Sequence, residues 1–229
     1  MSGHSSPKFF PLGEGAFIVE FGRVISKDLN RKAIALADLL DRQPFAGYVE
    51  SVPAYASTAV FYDLSRVRRA FPAQETAFNA VRSVVEPLIS VIDEPLESQA
   101  RLVEIPAVFD IDAGPDLGRV SENAGLSCDE VIGIFTSPEY QVYMLGFLPG
   151  FAYLGDVDER IATPRRRSPR ITVPPGSIGI AGRQAGVYSL SSPGGWQIIG
   201  RTQLKLFDPT SAEPSLLKPG DHVIFVPAC

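Results

Sequence analysis

Between residues 140 and 220 this 229-residue chain holds eleven of its twenty glycines and nine of its twenty prolines, so no apolar run there extends beyond a few residues. Glycine admits backbone shapes closed to other residues and proline fixes φ; a segment punctuated this way folds as short strands joined by tight turns. The β-type runs at 141–147, 170–173, 177–181, 187–190, 196–200 and 222–226 fit that description. Many short strands with such turns are expected to build a barrel or sandwich of antiparallel sheet. Ahead of them, Pro115 to Ala124 reads as a short helix stopped by Gly125. Ser127-Cys-Asp-Glu130 is a capping-box pattern that opens another, with Val131, Ile134 and Phe135 facing inward and Pro138 ending it.

The first hundred residues are patterned differently. Phe17 to Gly22 reads as a strand, and Asp28 to Gln43 as a helix whose Leu29, Ala33, Leu36 and Leu40 share a face, with Ser26 or Asp28 as its cap. Tyr48 to Val52 and Thr58 to Asp63 read as strands joined through Pro53-Ala-Tyr, and Ala73 to Ile92 as a second helix. With Arg101 to Val108 as a further strand, the order is that of a ferredoxin-like unit, two helices over one face of a small sheet. The apolar pattern breaks at Asp93 to Gln99, which places a domain boundary there: an α+β domain over 1–98 and a β-barrel domain over 99–229.

Charge and cysteine content narrow the function. Residues 1–98 carry ten basic and twelve acidic side chains and residues 99–229 carry eleven and fourteen, so neither half offers the basic face that phosphate neutralisation along a nucleic acid requires. Two cysteines, Cys128 and Cys229, make no disulfide framework and fit a reducing compartment. No apolar run approaches the roughly 18 residues of a membrane span, and the first residues lack a basic segment followed by an apolar core. The expected location is the cytoplasm.

Several chemistries lack their residues. The histidines are His4 and His222, too few for a zinc centre, and His222 falls in a strand pattern that reads as structural. No Gly-x-Ser-x-Gly elbow and no phosphate-binding Gly-x-x-x-x-Gly-Lys-Ser/Thr loop is present, and Gly176 to Gly182 has the wrong spacing for a dinucleotide fingerprint. The internal methionine, Met144, is followed by leucine, so the chain has no biotin-attachment site. What remains is Arg165, Arg166, Arg167 and Arg170 among prolines, in an otherwise acidic protein. A rigid loop of guanidinium groups suits bidentate pairing with carboxylate or phosphate. Arg201 follows a glycine at a strand end, Trp196 follows two glycines, and Tyr143, Phe147, Phe151 and Tyr153 surround Pro149-Gly150 as core or pocket wall.

These residues also carry a resemblance. Val142 to Phe151, Thr163-Pro-Arg165, Ser168-Pro-Arg170, Gly176-Ser177, Ser192-Pro-Gly-Gly-Trp196, Ile199-Gly-Arg-Thr202 and Leu206-Phe-Asp208 follow in order the pattern of the KipI family. That family is also called allophanate hydrolase subunit 1 or the B subunit of 5-oxoprolinase, and is related to the carboxyltransferase region of urea carboxylase. The resemblance implies a small α+β domain followed by a cyclophilin-like β-barrel. It further implies a subunit that is inactive alone and works with an allophanate hydrolase subunit 2 type partner and a third subunit in the ATP-dependent opening of 5-oxoproline. On that reading Arg165, Arg170, Arg201 and Ser177 contribute to a shared site, with Tyr143, Phe147, Phe151, Tyr153 and Trp196 lining a substrate or partner surface, and with ATP as co-substrate and no metal. Two other readings stay open: an inhibitor of a sensor histidine kinase, as KipI is, and a carboxyltransferase component served by a partner's biotin. The chain departs from the family at Val108-Phe-Asp-Ile-Asp112, where relatives carry a Cys-Tyr-Gly-Gly-Glu type sequence, and at Phe135, where many carry histidine.

Overall fold

The computed structural model describes residues 6–92 and 100–228; His4, the boundary segment 93–99 and Cys229 lie outside the described residues. The chain divides into two compact units, residues 1–99 and 100–229.

In the first unit, β1 (Lys8–Pro11), β2 (Ala16–Glu20), β3 (Tyr48–Pro53) and β4 (Ser57–Tyr62) form an antiparallel sheet in the order β1-β2-β4-β3. Alternation sends Phe17, Val19, Val60 and Tyr62 to one face, where they pack with α1 (Lys27–Arg42) and α3 (Ala77–Val85) through Ala33, Leu36, Leu40, Val81 and Val85. Two polar side chains lock α1 to the sheet: Thr58 Oγ1 donates to the Ala33 carbonyl at 2.7 Å and Asn30 Nδ2 to that of Ala54 at 2.8 Å. The opposite face carries Phe10, Ile18, Ala59 and Val52 in one register row across all four strands. α2 (Leu64–Ala70), capped by Asp63, was not foreseen from the sequence.

Two expectations need correction here. Residues 73–92 do not form one helix, because Pro87 has no amide to continue the ladder; α3 ends at Val85 and α4 (Leu88–Ile92) starts after the break. The closing strand expected at Arg101 to Val108 does not join this sheet. The position beside β2 is filled by β1, from the opposite end of the chain, and β5 (Leu102–Ala107) pairs in the second unit.

The second unit opens with β5, followed by α5 (Leu117–Ala124) and α6 (Cys128–Thr136). Gly125 ends α5 in the left-handed region at φ 67°, and Ser127 with Glu130 forms the expected capping box on α6. Then come β6 (Tyr140–Leu145), β7 (Ala152–Gly155), β8 (Arg170–Val173), β9 (Ser177–Ala181), β10 (Gln184–Val187), β11 (Ser192–Gly194), β12 (Gln197–Arg201) and β13 (His222–Pro227). Seven of these strands form a sheet in the order β12-β9-β10-β7-β6-β13-β5, antiparallel except where β13 runs parallel to β5. Its two ends meet where Val108 and Arg201 exchange main-chain hydrogen bonds of 2.8 and 2.9 Å, so the sheet is a nearly closed barrel. β8 and β11 form a separate two-stranded ribbon. The unit is thus mixed helix and sheet around a barrel, as the strand pattern implied. The run expected at 187–190 lies earlier, at Gln184–Val187, and Ser-Pro-Gly of β11, which reads as a turn, is tolerated because the ribbon leaves a proline's missing amide unpaired without cost.

Alternation along the barrel strands serves two cores. Ile178, Ile180, Ala185, Val187, Leu154 and Ile199 point into the main core with Phe135, Tyr140 and Phe225. Their neighbours on the other side of the same strands, Ala181, Tyr153 and Ile198, join Phe151, Val173, Tyr188 and Trp196, which stands just before β12, in a second, smaller cluster on the outside of the wall. Among the described residues no helix is long and apolar enough to cross a membrane.

A candidate half-site on the barrel wall

The arginine loop is held against this wall by its main chain and by two of its own side chains. The Pro164 carbonyl accepts a hydrogen bond from Gln197 Nε2 at 2.7 Å, and the Arg166 amide donates to the Gly195 carbonyl at 2.7 Å. Beyond these, Arg166 Nη1 lies 2.7 Å from Asp116 Oδ1, and Arg170 approaches the same carboxylate with Nη2 at 2.8 Å from Oδ1 and Nη1 at 2.7 Å from Oδ2. The Nη1 approach is a charge contact out of line for a hydrogen bond. Oδ2 also accepts from the Ile198 amide of β12 at 2.7 Å.

Asp116 is the centre of this arrangement and its side chain is only 4% exposed. Burial alone would raise its carboxyl pKa. The hydrogen bonds from Arg170 and the Ile198 amide, with the charges of Arg170 and Arg166, outweigh burial and hold it below the ordinary value. Asp116 occupies the N-cap position of α5 yet makes no side-chain cap bond, because its carboxylate is turned to the arginines instead.

Beside this latch lies the aromatic cluster. Phe151 is packed edge-on against Tyr153, Tyr188 and Trp196, with ring centroids 4.9, 5.2 and 5.6 Å away. Such pairs contribute about 0.5–1.5 kcal/mol each beyond their buried area. The rings come this close because Gly186 beneath them has no side chain: a Cβ there would stand 2.8 Å from Phe151 Cζ and 3.0 Å from the Trp196 ring. Phe147 adopts φ 68°, a left-handed conformation that costs a non-glycine residue roughly 1–2 kcal/mol. Its ring sits 5.5 Å from Phe151 and 6.4 Å from Tyr188 yet remains 60% exposed. The turn therefore displays a large apolar ring at a backbone cost. Over the cluster lies Arg165, its guanidinium carbon 5.7 Å from the Trp196 ring centroid.

The residues singled out in the sequence consequently separate into groups. Arg165, Phe147, Phe151, Tyr153 and Trp196 are brought together, with Arg165 exposed and Trp196 and Phe151 buried. Arg170 is turned inward to Asp116. Arg201 is exposed at the end of β12, its Nε donating to the Pro175 carbonyl at 3.3 Å, and pairs in register with Ser177, which is buried in β9. Tyr143 is buried over Gly155 with its hydroxyl 3.4 Å from Asp156; burial, then the Asp156 charge, pushes its phenol up to about 12. His222, at the start of β13, pairs with Glu139.

Three residues of this region escaped the sequence reading: Asp116, Tyr188 and Gln197. Asp116 lies in Gly114-Pro-Asp-Leu117, a segment similar to the family pattern, but it stands 50 and 54 positions from its arginines, so nothing local marks their pairing. Phe109 and Phe135, where the chain departs from the family pattern, meet in the core with centroids 6.0 Å apart, and the Phe135 ring is fully buried against Phe225 and Tyr140. The two departures thus form one aromatic contact.

Residues 7–217 match the family described as carboxyltransferase domain, subdomain C and D. The chain is 46% identical to the B subunit of 5-oxoprolinase from Bacillus subtilis over 216 residues, which cover 94% of this chain and 90% of that protein. Among solved structures it is similar to TTHA0988, with a TM-score of 0.79 and 37% identity over 93% of this chain, although it spans only 39% of the length of TTHA0988. It is also similar to a conserved protein of Pyrococcus horikoshii, with a TM-score of 0.55 and 43% identity, covering 96% of this chain and 97% of that one.

Proposed function

We propose that this chain, which belongs to the carboxyltransferase-domain family that includes the B subunit of 5-oxoprolinase, is the non-autonomous subunit of a 5-oxoprolinase-type hydrolase acting on a cyclic or linear amide. The observation that carries the proposal is the 46% identity across nearly the whole chain to a protein named as one subunit of that enzyme. An enzyme made of subunits needs their association, and the partner proposed here is of the allophanate hydrolase subunit 2 type, with a third subunit completing the complex in the cytoplasm. ATP is the co-substrate. An amide carbonyl is unreactive, and phosphorylation of its oxygen makes it an electrophile; the enzyme must hold phosphate and offset charge as it develops.

The geometry supports a share of such a site. Arg165 and Arg201 are exposed and can face a partner, whereas Arg170 and Arg166 neutralise Asp116 and act as framework. Ser177 is a wall residue of β9 and is given no direct role. Among the described residues no group of three or more His, Cys, Asp or Glu side chains gathers as a metal site would require, and the sequence has no phosphate-binding loop. On this proposal the nucleotide is held mainly by the partner subunits.

Co-expression with the neighbouring open reading frames, followed by co-purification and an ATPase screen against 5-oxoproline, urea and allophanate, tests the proposal. A stable hetero-oligomer whose ATPase responds to 5-oxoproline is expected. Partner subunits that reach full 5-oxoproline-dependent ATPase without this chain would overturn it. The family description favours one second reading, a carboxyltransferase component, for which avidin would abolish activity. Inhibition of a kinase through a broad apolar surface at 147–153 is supported less well, because Phe151 is buried and exposure in that turn is confined to Phe147 and Pro149.

A further inference from the structure

We infer that Arg165, laid on Trp196, is the receptor for the carboxylate of a small cyclic amide acid, and that Asp116 and Gln197 are the positioning residues that aim it. The inference rests on the lactam-hydrolase reading for the identity of the ring and on geometry for the rest. Gln197 fixes the loop immediately before Arg165 through the Pro164 carbonyl, and Gly195 fixes it immediately after through the Arg166 amide. The Asp116 latch then turns the Arg166 and Arg170 guanidinium groups inward, which leaves Arg165 as the cation displayed over the rings. Among the described residues it has no carboxylate partner.

A guanidinium held by an aromatic ring still has N–H groups to spare, and its fork matches a planar carboxylate bidentately. Its charge reaches the Tyr153 and Tyr188 hydroxyls as well, where it opposes the rise that burial imposes on both phenols. The exposed ring of Phe147, seated against Tyr188, supplies apolar surface at the same cluster. A single guanidinium over apolar rings, with Arg167 exposed further along the loop, suits a monoanion on a compact hydrocarbon ring. Phosphoryl groups, with more charge, call for several converging donors. Gln197 Oε1 and Arg166 Nε, both buried without a hydrogen-bond partner, add polar atoms to the foot of the loop.

The test uses the isolated full-length chain, because Trp196 is its only tryptophan and reports on the site directly. Trp196 fluorescence is titrated with 5-oxoproline, with pyrrolidin-2-one, which has the same ring without the carboxylate, and with inorganic phosphate. A saturable change with 5-oxoproline and none with pyrrolidin-2-one over the same range is expected. Arg165→Ala should weaken the response at least tenfold and Arg165→Lys severalfold, with unchanged thermal midpoints because the side chain is exposed. A response to pyrrolidin-2-one equal to that of the acid, a phosphate response at the same concentrations, or no response to 5-oxoproline would each overturn the inference. Neither a partner nor ATP enters this measurement, so its failure is distinct from a failure of the subunit assignment in co-purification.

Discussion

The first unit leaves one face of its sheet open, and the second wraps its sheet until the ends touch. In the open sheet, Phe17, Val19 and Val60 meet the helices while Phe10, Ile18, Ala59 and Val52 form the outward row, so each strand has one buried face. In the barrel, every residue of β9 and the first four of β12 are buried, because the inside is filled by one core and the outside is covered by another. Closure therefore frees the second face of a strand for a site. The aromatic contacts of the open sheet, Phe17 with Phe9, Tyr62 and Phe78, belong to its single core, whereas those of the barrel lie in the second cluster outside the wall. The side chains that hold the arginine loop, Gln197 and Asp116, attach to β12, a strand of the closing seam.

This contrast can be broken at several points. The largest effect belongs to the barrel core: Phe135→Ala should cost about 3–5 kcal/mol in chemical denaturation, since it removes a ring packed on Phe225, Tyr140 and Phe109. Next is Asp116→Asn, which leaves two inward-facing guanidinium groups with no countercharge and should cost roughly 3 kcal/mol. The same carboxyl sets a pH dependence. Its folded pKa is lowered, so its contribution is fully present above the unfolded value of about 3.9 and is lost as pH falls through the lower folded value. Acid unfolding of the Asn variant should lack that part of the slope, and an unchanged slope would remove Asp116 from the latch.

Gly186→Ala should be milder, roughly 1–3 kcal/mol, because the new methyl must displace Phe151 and Trp196. A shift in Trp196 emission should accompany it, and unaltered emission would mean the rings do not depend on that gap. The smallest change is expected at the open face: Phe10→Ser should stay within about 0.5 kcal/mol, as for most exposed positions. A cost approaching that of Phe135→Ala would show that this face is covered after all and erase the difference between the sheets.

Legibility in the sequence followed the same division. The α1 face, the Gly125 stop and the Ser127–Glu130 box were readable because each depends on residues within a few positions of one another. The glycine and proline density announced a barrel-like sheet, but register and closure depend on pairings such as Val108 with Arg201, which no local pattern encodes. β1 was missed because Lys-Phe-Phe-Pro is too short to show alternation, and its pairing with β2 is what displaced β5 from the expected order. At the site, Arg165, Trp196 and the aromatic turn were visible as unusual residue types in a rigid context. The roles of the arginines were not, because a charge looks the same in sequence whether it faces a ligand or an aspartate fifty residues away.

The main-chain clasp between Val108 and Arg201 also bears on how a partner can attach. A sheet whose terminal strands are tied together has little backbone edge to lend, so another protein cannot easily extend it by adding a strand and must recognise loops and side chains. The first unit differs: β1 and β3 end its sheet with one side of their main chain not taken up by a neighbouring strand. Recognition by side chains is therefore a property of the closed barrel sheet, and recognition by strand addition is left to the first unit's sheet and to the β8–β11 ribbon.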